Sequence, residues 1–172
     1  EAEATRGFFR FRPRYVVERF VIIISDIINV GATHQGLSNV IIQKGGSPKP
    51  AFETIVAFGE NAAYPHHVLT DRKLKRGEAV LMDCGSSMGG YKSDLTRTEF
   101  FGKITSKFKK IYGIVQEAQS AGIAAVRDGV QAGRVDFICR EAIRKAGYGD
   151  FFIHGTGHGV GLDIHEPPRL GI

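Results

Sequence analysis

Three histidines, His154, His158 and His165, fall within twelve residues, and glycines flank His158 on both sides. Five of the six histidines of the chain lie in this stretch or in the pair His66-His67. Imidazole is the usual nitrogen ligand of a metal ion and a usual proton carrier near neutral pH. Glycine lets a backbone come close to a bound ion or substrate. The pattern points to a metal-dependent site, and Asp83 and Asp94 are the carboxylates placed to complete it. If the strands that carry them form a hairpin, both carboxylates reach one face. Two carboxylates that close repel each other unless one is protonated or a cation lies between them. Each aspartate alone reads equally well as a turn cap or half of a surface ion pair. The glycine-flanked histidine favours a divalent-metal set, whose members should converge on a common point.

These side chains need elements to hold them. Phe52 to Phe58 is β-rich and predicts a strand. Glu78 to Cys84 predicts a second strand, with Val80 and Met82 on one side and Leu81 and Asp83 on the other. Gly85 to Gly90 reads as a flexible connection, and Tyr91 to Phe101 as the returning strand. An apolar stripe of Phe108, Ile111, Tyr112, Val115, Ala118, Gly122 and Val126 predicts a helix from about Ser106 to Arg127, capped by Thr105 or Ser106. A second stripe of Val135, Ile138, Cys139, Ala142, Ile143 and Ala146 predicts another helix that stops at Gly147. Phe151 to Ile153 then predicts a strand. Strands, helices and strands in that order suggest an α+β fold.

The 172 residues suffice for one domain with a core, and 42% apolar and 24% charged residues are an ordinary globular balance. The formal charge is +5. Arginines 6, 10, 12, 14 and 19 supply much of the excess; without residues 1–19 the charge is +3. Such an arm could bind nucleic acid, but a solvated tail is the commoner meaning, and neither a nucleic-acid nor a membrane partner is expected. Cys84 and Cys139 form no CxxC motif and suggest no disulfide framework. The run Phe20 to Val30 holds Ser25, Asp26 and Asn29, is too short to span a bilayer and lacks a signal-peptide cleavage pattern. A cytoplasmic location is the expectation. Residues 31–50 are rich in Gly, Ser, Asn, Gln and Pro and read as a loop.

Five blocks then occur in order: Ile55 to Asn61, Pro65-His66, Asp83-Cys84-Gly85, Tyr91 to Thr98, and His154 to Gly161. Together they resemble the Xaa-Pro aminopeptidase and prolidase branch of the creatinase/aminopeptidase family, which has a pita-bread fold. The resemblance runs from about Gly45 to Ile172, and Ser93 to Thr98 is more similar to the proline peptidases than to the methionine aminopeptidases. It implies that Asp83 chelates one metal, that Asp94 bridges two, and that His158 binds the second. It places His66, His154 and His165 in the catalytic substrate site, steadying the scissile carbonyl and its oxyanion or shuttling a proton. Thr96 and Arg97 read as supporting groups, His67 as a bystander and His34 as a surface residue outside the match. The implied cofactors are divalent metal ions, two in complete members. Manganese suits carboxylate-dominated ligation best, with cobalt, zinc or iron as competitors. The implied partner is a peptide with proline in the second position, with a homodimer as a further option.

Residues 45–172 then read as part of a metallopeptidase catalytic domain, and residues 1–44 as an atypical N-terminal segment. In the family, two further glutamate ligands lie on strands beyond the His-Glu-Pro block, and Glu166 occupies neither position. Three of five expected ligands are in this sequence, so the pita-bread fold is expected to be incomplete at the C-terminus. Activity of the chain by itself is expected to be impaired. The alternative is a non-catalytic fragment or a peptide- or protein-binding module of the same fold.

Overall fold

The computed structural model describes residues 49–171 apart from position 69. The basic arm, the run Phe20 to Val30, His34 and the segment 1–44 lie outside the described residues.

The element order is β1 (Lys49–Pro50), β2 (Ile55–Phe58), a 3-10 turn (Gly59–Ala63), β3 (Glu78–Cys84), β4 (Ser86–Met88), β5 (Tyr91–Lys92), β6 (Leu95–Phe101), α1 (Ser106–Ala125), α2 (Ala132–Lys145), a second 3-10 turn (Gly149–Phe151), β7 (Gly157–Gly159) and β8 (Glu166–Leu170). Strands β2, β3 and β6 form an antiparallel sheet with β3 in the middle. The alternation expected of β3 holds. Val80, Met82 and Cys84 are buried on one face, where they join Val56 and Phe58, while Leu81 and Asp83 face the other way, half-buried, with Ala57 on their side.

The stretch expected to be a flexible connection is instead a strand. Ser86–Met88 pairs with Tyr91–Lys92 and, on its other edge, with Lys49–Pro50. Gly89 and Gly90 make the turn between them at φ 59° and 89°, backbone that other residues adopt only with strain. The Gly/Ser composition that reads as a loop here reflects this tight turn and a narrow ribbon. The returning strand is accordingly split, and Ser93 and Asp94 sit at the break. Asp94 therefore lies at the corner where the main sheet hands over to the ribbon.

Helix α1 starts as expected at Thr105, whose hydroxyl accepts a hydrogen bond from the Phe108 N–H at 3.1 Å. Removing this cap with Thr105→Ala is expected to lower stability by about 1 kcal/mol, read as a shift of the denaturation midpoint. Helix α2 packs on α1 through Val135, Cys139 and Ile143 against Ala118 and Gly122. The α1 stripe is buried only there. Tyr112, Val115 and Val126, expected on the same buried face, are 45%, 51% and 60% exposed. Small residues at the crossing let the helix backbones come close, and the larger side chains on either side of it are left uncovered by α2.

Phe151 to Ile153 does not form the expected strand. Phe151 ends the second 3-10 turn, and extended pairing begins only at Gly157, opposite Leu170. Gly159 lies against β8 so closely that a Cβ there would collide with the carbonyl oxygens of Pro167 and Glu166. Gly159→Ala is therefore expected to force the two strands apart at a cost of about 1–3 kcal/mol, measurable in a denaturant melt and by the loss of amide protection at His158.

Candidate metal centre

Asp83 sits near the end of β3, directly opposite Thr96 on β6. The Thr96 hydroxyl donates to Asp83 Oδ1 at 2.9 Å. Burial pushes the Asp83 carboxyl above its ordinary range, the Thr96 hydroxyl opposes that shift, and the facing Asp94 carboxylate adds to it. The two aspartates therefore stand against each other as the hairpin geometry requires. Beside them, burial and these same charges push the Cys84 thiol up to about 12, which keeps it a neutral thiol rather than a thiolate ligand.

His158 comes to this pair from the far end of the chain. Its Nε2 lies 3.5 Å from Asp94 Oδ2, and both side chains are a quarter exposed. Its Nδ1 lies 2.9 Å from the Gly159 carbonyl oxygen. A carbonyl only accepts, so Nδ1 carries a proton, and Nε2 is the ring nitrogen turned toward Asp94. An imidazole anchored through one nitrogen in this way has the other free to meet a metal. The His165 ring packs edge-on against His158, with ring centroids 4.4 Å apart.

A cleft of about 320 Å³ opens at this place, and its walls include Thr54, His66, His67, Asp83, Asp94 and His165. His66 and His165 thus line the same cleft as the two aspartates. His67, read from sequence as a bystander, lines the same wall and is less exposed than His66. His154, like His158, is not among the residues lining the cleft. Its ring stands edge-on to Phe152 with centroids 5.0 Å apart, and its Nδ1 is 2.7 Å from the Gly155 carbonyl. The reason is the missing strand at Phe151 to Ile153: the 3-10 turn redirects the chain, and His154 meets α2 through its backbone instead.

Whether a divalent cation suits these groups is decided by the donors themselves. Two facing carboxylates, one of them half-buried, repel each other, and a cation between them removes that repulsion. The imidazole edge is already turned toward them. The donors thus fit a metal in type and in pairwise approach. Among the described residues, however, no group of three or more His, Cys, Asp or Glu side chains is gathered closely enough to hold an ion. The convergence on one point expected from sequence is not found among the described residues; Asp94 instead approaches Asp83 and His158 pairwise.

Two groups escaped the sequence reading. Thr54 is buried, and its hydroxyl has no partner among the described residues, although the residue lines the cleft. Asp136, fully buried on α2, binds Arg140 and Thr156. A threonine before a strand and an Asp/Arg pair four apart on a helix are common surface patterns, so neither stood out without the fold.

The profile of metallopeptidase family M24 matches residues 16–172. The chain belongs to that family. Among curated M24 relatives, the Xaa-Pro dipeptidase of Pyrococcus furiosus is 46% identical over 130 residues, which cover 76% of this chain and 37% of that protein. Among solved M24 structures, a dipeptidase from Pyrococcus horikoshii superposes with a TM-score of 0.82 at 42% identity, over 92% of this chain and 45% of that one. An X-Pro aminopeptidase from Thermotoga maritima does so with a TM-score of 0.85 at 34% identity, over 91% and 46%. The chain therefore has part of the pita-bread fold and lies in the Xaa-Pro aminopeptidase and prolidase branch. It spans well under half the length of the curated relatives it matches. Divalent metal ions go with the M24 family. Among the described residues, no helix is long and apolar enough to cross a membrane.

Proposed function

We propose that this chain carries the first part of a metal-dependent Xaa-Pro peptidase site, in which Asp83, Asp94 and His158 hold a divalent cation and the cleft beside them receives a peptide with proline in second position. The observation that carries this reading is the approach of His158 Nε2 to Asp94 Oδ2, across the face where Asp94 meets Asp83. The residues involved come from a hairpin and from strand β7, 64 positions further on. A cation bound there would supply Lewis-acid polarisation of the scissile carbonyl and an acidified water. Asp83 is steadied by Thr96, which leaves its second oxygen to face the cation. His158 is held in one orientation by the Gly159 carbonyl. His66 and His165 stand on the cleft wall as groups able to donate a proton to a carbonyl oxygen or a leaving amine. His154 shapes the loop through its backbone carbonyl, which accepts from Arg140. Manganese is the metal favoured by this carboxylate-rich set, with residues 45–172 as the catalytic portion and the cytoplasm as its compartment.

A second reading, a non-catalytic module that binds peptide or protein, is favoured by the absence of a closed three-donor group among the described residues. One experiment separates the two. The chain is titrated with manganese by calorimetry and then supplied with an Xaa-Pro dipeptide while free proline is followed. Manganese uptake at the site is the expected result, and release of proline that depends on it identifies the peptidase. Peptide binding without manganese uptake or proline release would overturn the metal-site reading in favour of the binding module.

A further inference from the structure

We propose that Asp136 and Arg140 of α2 are positioning residues for the histidine loop, setting where the His158 imidazole stands relative to Asp94. The proposal rests on the reading of His158 as a metal ligand.

Its basis is the set of bonds between α2 and the loop. Arg140 Nη1 donates to the Phe152 carbonyl at 2.8 Å, and Nη2 donates to the His154 carbonyl at 3.0 Å. The guanidinium also lies 4.6 Å over the Phe152 ring. Asp136 Oδ1 accepts from the Thr156 N–H at 2.9 Å and from its hydroxyl at 2.8 Å. Arg140 Nε donates to Asp136 Oδ2 at 3.1 Å, which locks the two side chains to each other. Residues 152, 154 and 156 are thus each held by one ion pair, at every second position of the loop. The next alternate residue is His158. There β8 takes over, with His158 opposite Arg169.

The chemistry explains why a charged pair stands here. The loop forms no sheet before Gly157, so its carbonyl and N–H groups need partners that an apolar contact would not provide. A planar guanidinium braced by a carboxylate presents its donors in one fixed fork, so it specifies direction as well as contact. The helix behind it is anchored on α1 by Val135, Cys139 and Ile143. The loop therefore inherits the rigidity of the helix pair, and the imidazole two residues beyond Thr156 is placed before any cation arrives. Arrangements of this kind around a metal ligand are worth about 10–100-fold in affinity.

The test uses the 172-residue chain and two readouts. The first is the set of imidazole resonances of His154 and His158 in metal-free protein. The second is cobalt affinity, from visible absorption. Arg140→Met and Asp136→Asn are expected to displace or broaden the His158 resonances and to weaken cobalt binding about tenfold or more. Arg140→Lys, which keeps the charge but loses the fork, is expected to fail with them. Val135→Ala, which removes packing against Gly122 of α1 and lies well around the helix from Asp136 and Arg140, lowers the melting temperature through packing alone and is expected to change neither readout. If a charge variant does not fold, Thr156→Val carries the test with a smaller change in the same direction. Unmoved His158 resonances in the folded variants, or the same displacement in Val135→Ala, would overturn the proposal. Cobalt affinity unchanged by His158→Ala would overturn the metal-ligand reading, and the resonances would still decide the positioning role.

Discussion

Asp94→Asn is expected to weaken manganese binding by more than about 100-fold and to abolish any manganese-dependent release of proline. The scale follows from the arrangement. Loss of a group that merely supports a metal ligand costs about 10–100-fold, and Asp94 is the side chain shared by both close pairs, one with Asp83 and one with His158. An amide of the same shape keeps one oxygen but brings no negative charge, so the cation loses both a ligand and the attraction that gathers it. Folding should not suffer. Asp94 repels Asp83 in the metal-free chain, and removing its charge relieves that repulsion. The two effects therefore point in opposite directions, which excludes unfolding as the cause of lost binding. Glu99→Gln, an exposed carboxylate on β6, serves as the control. Calorimetry and a thermal melt of all three proteins check the result, and manganese affinity that survives in Asp94→Asn would rule out the shared-carboxylate site.

Asp136→Ala is expected to cost about 3–5 kcal/mol of stability, the range for breaking a buried ion pair by removing one partner. Asp136 is fully buried, and four hydrogen bonds end on its carboxylate, from Arg140 Nε and Nη2 and from the Thr156 N–H and hydroxyl. Its removal leaves the Thr156 amide and a guanidinium without their acceptor. Arg140 keeps 28% exposure of its side chain, so water repays part of the loss and the lower end of the range applies. The same carboxylate gives a pH signature. Burial works against the ionised form, but the Arg140 and Thr156 hydrogen bonds outweigh it and hold Asp136 below the ordinary aspartate value of 3.8. A group depressed in the folded state stabilises fully above its unfolded pKa and loses that contribution as the pH falls through the folded one. The stability gap between the wild-type chain and Asp136→Ala should therefore be widest near neutrality and narrow as the pH drops below about 3.8. Denaturant melts at pH 7 and pH 3 check it. A gap that does not change with pH would show that packing, not the charge, is what Asp136 contributes.

The sequence by itself determined the elements whose pattern is local. The alternation of Glu78 to Cys84 separates Asp83 from the buried Val80 and Met82, because side chains on a strand alternate faces whatever lies beyond it. The Thr105 cap and the Gly147 stop bound the helical region, because capping chemistry is complete within a turn. The ordered blocks from Ile55 to Gly161 were enough to point to the family and its fold. Tertiary structure decided the rest. The Gly/Ser run after Cys84 became a strand only because β1 and β5 offered it edges, and no local signal encodes a partner 36 residues upstream. The uncovered Tyr112 and Val115 depend on how closely α2 approaches, which small residues on two separate helices set jointly. Where His154 and His67 stand depends on tertiary structure for the same kind of reason: a 3-10 turn precedes one, and the other lines the cleft wall. Asp136 and Arg140 look from sequence like an ordinary helical pair. Their meaning comes from a loop 12 to 20 residues away, because a buried charge acquires its role only from the groups that the fold brings to it.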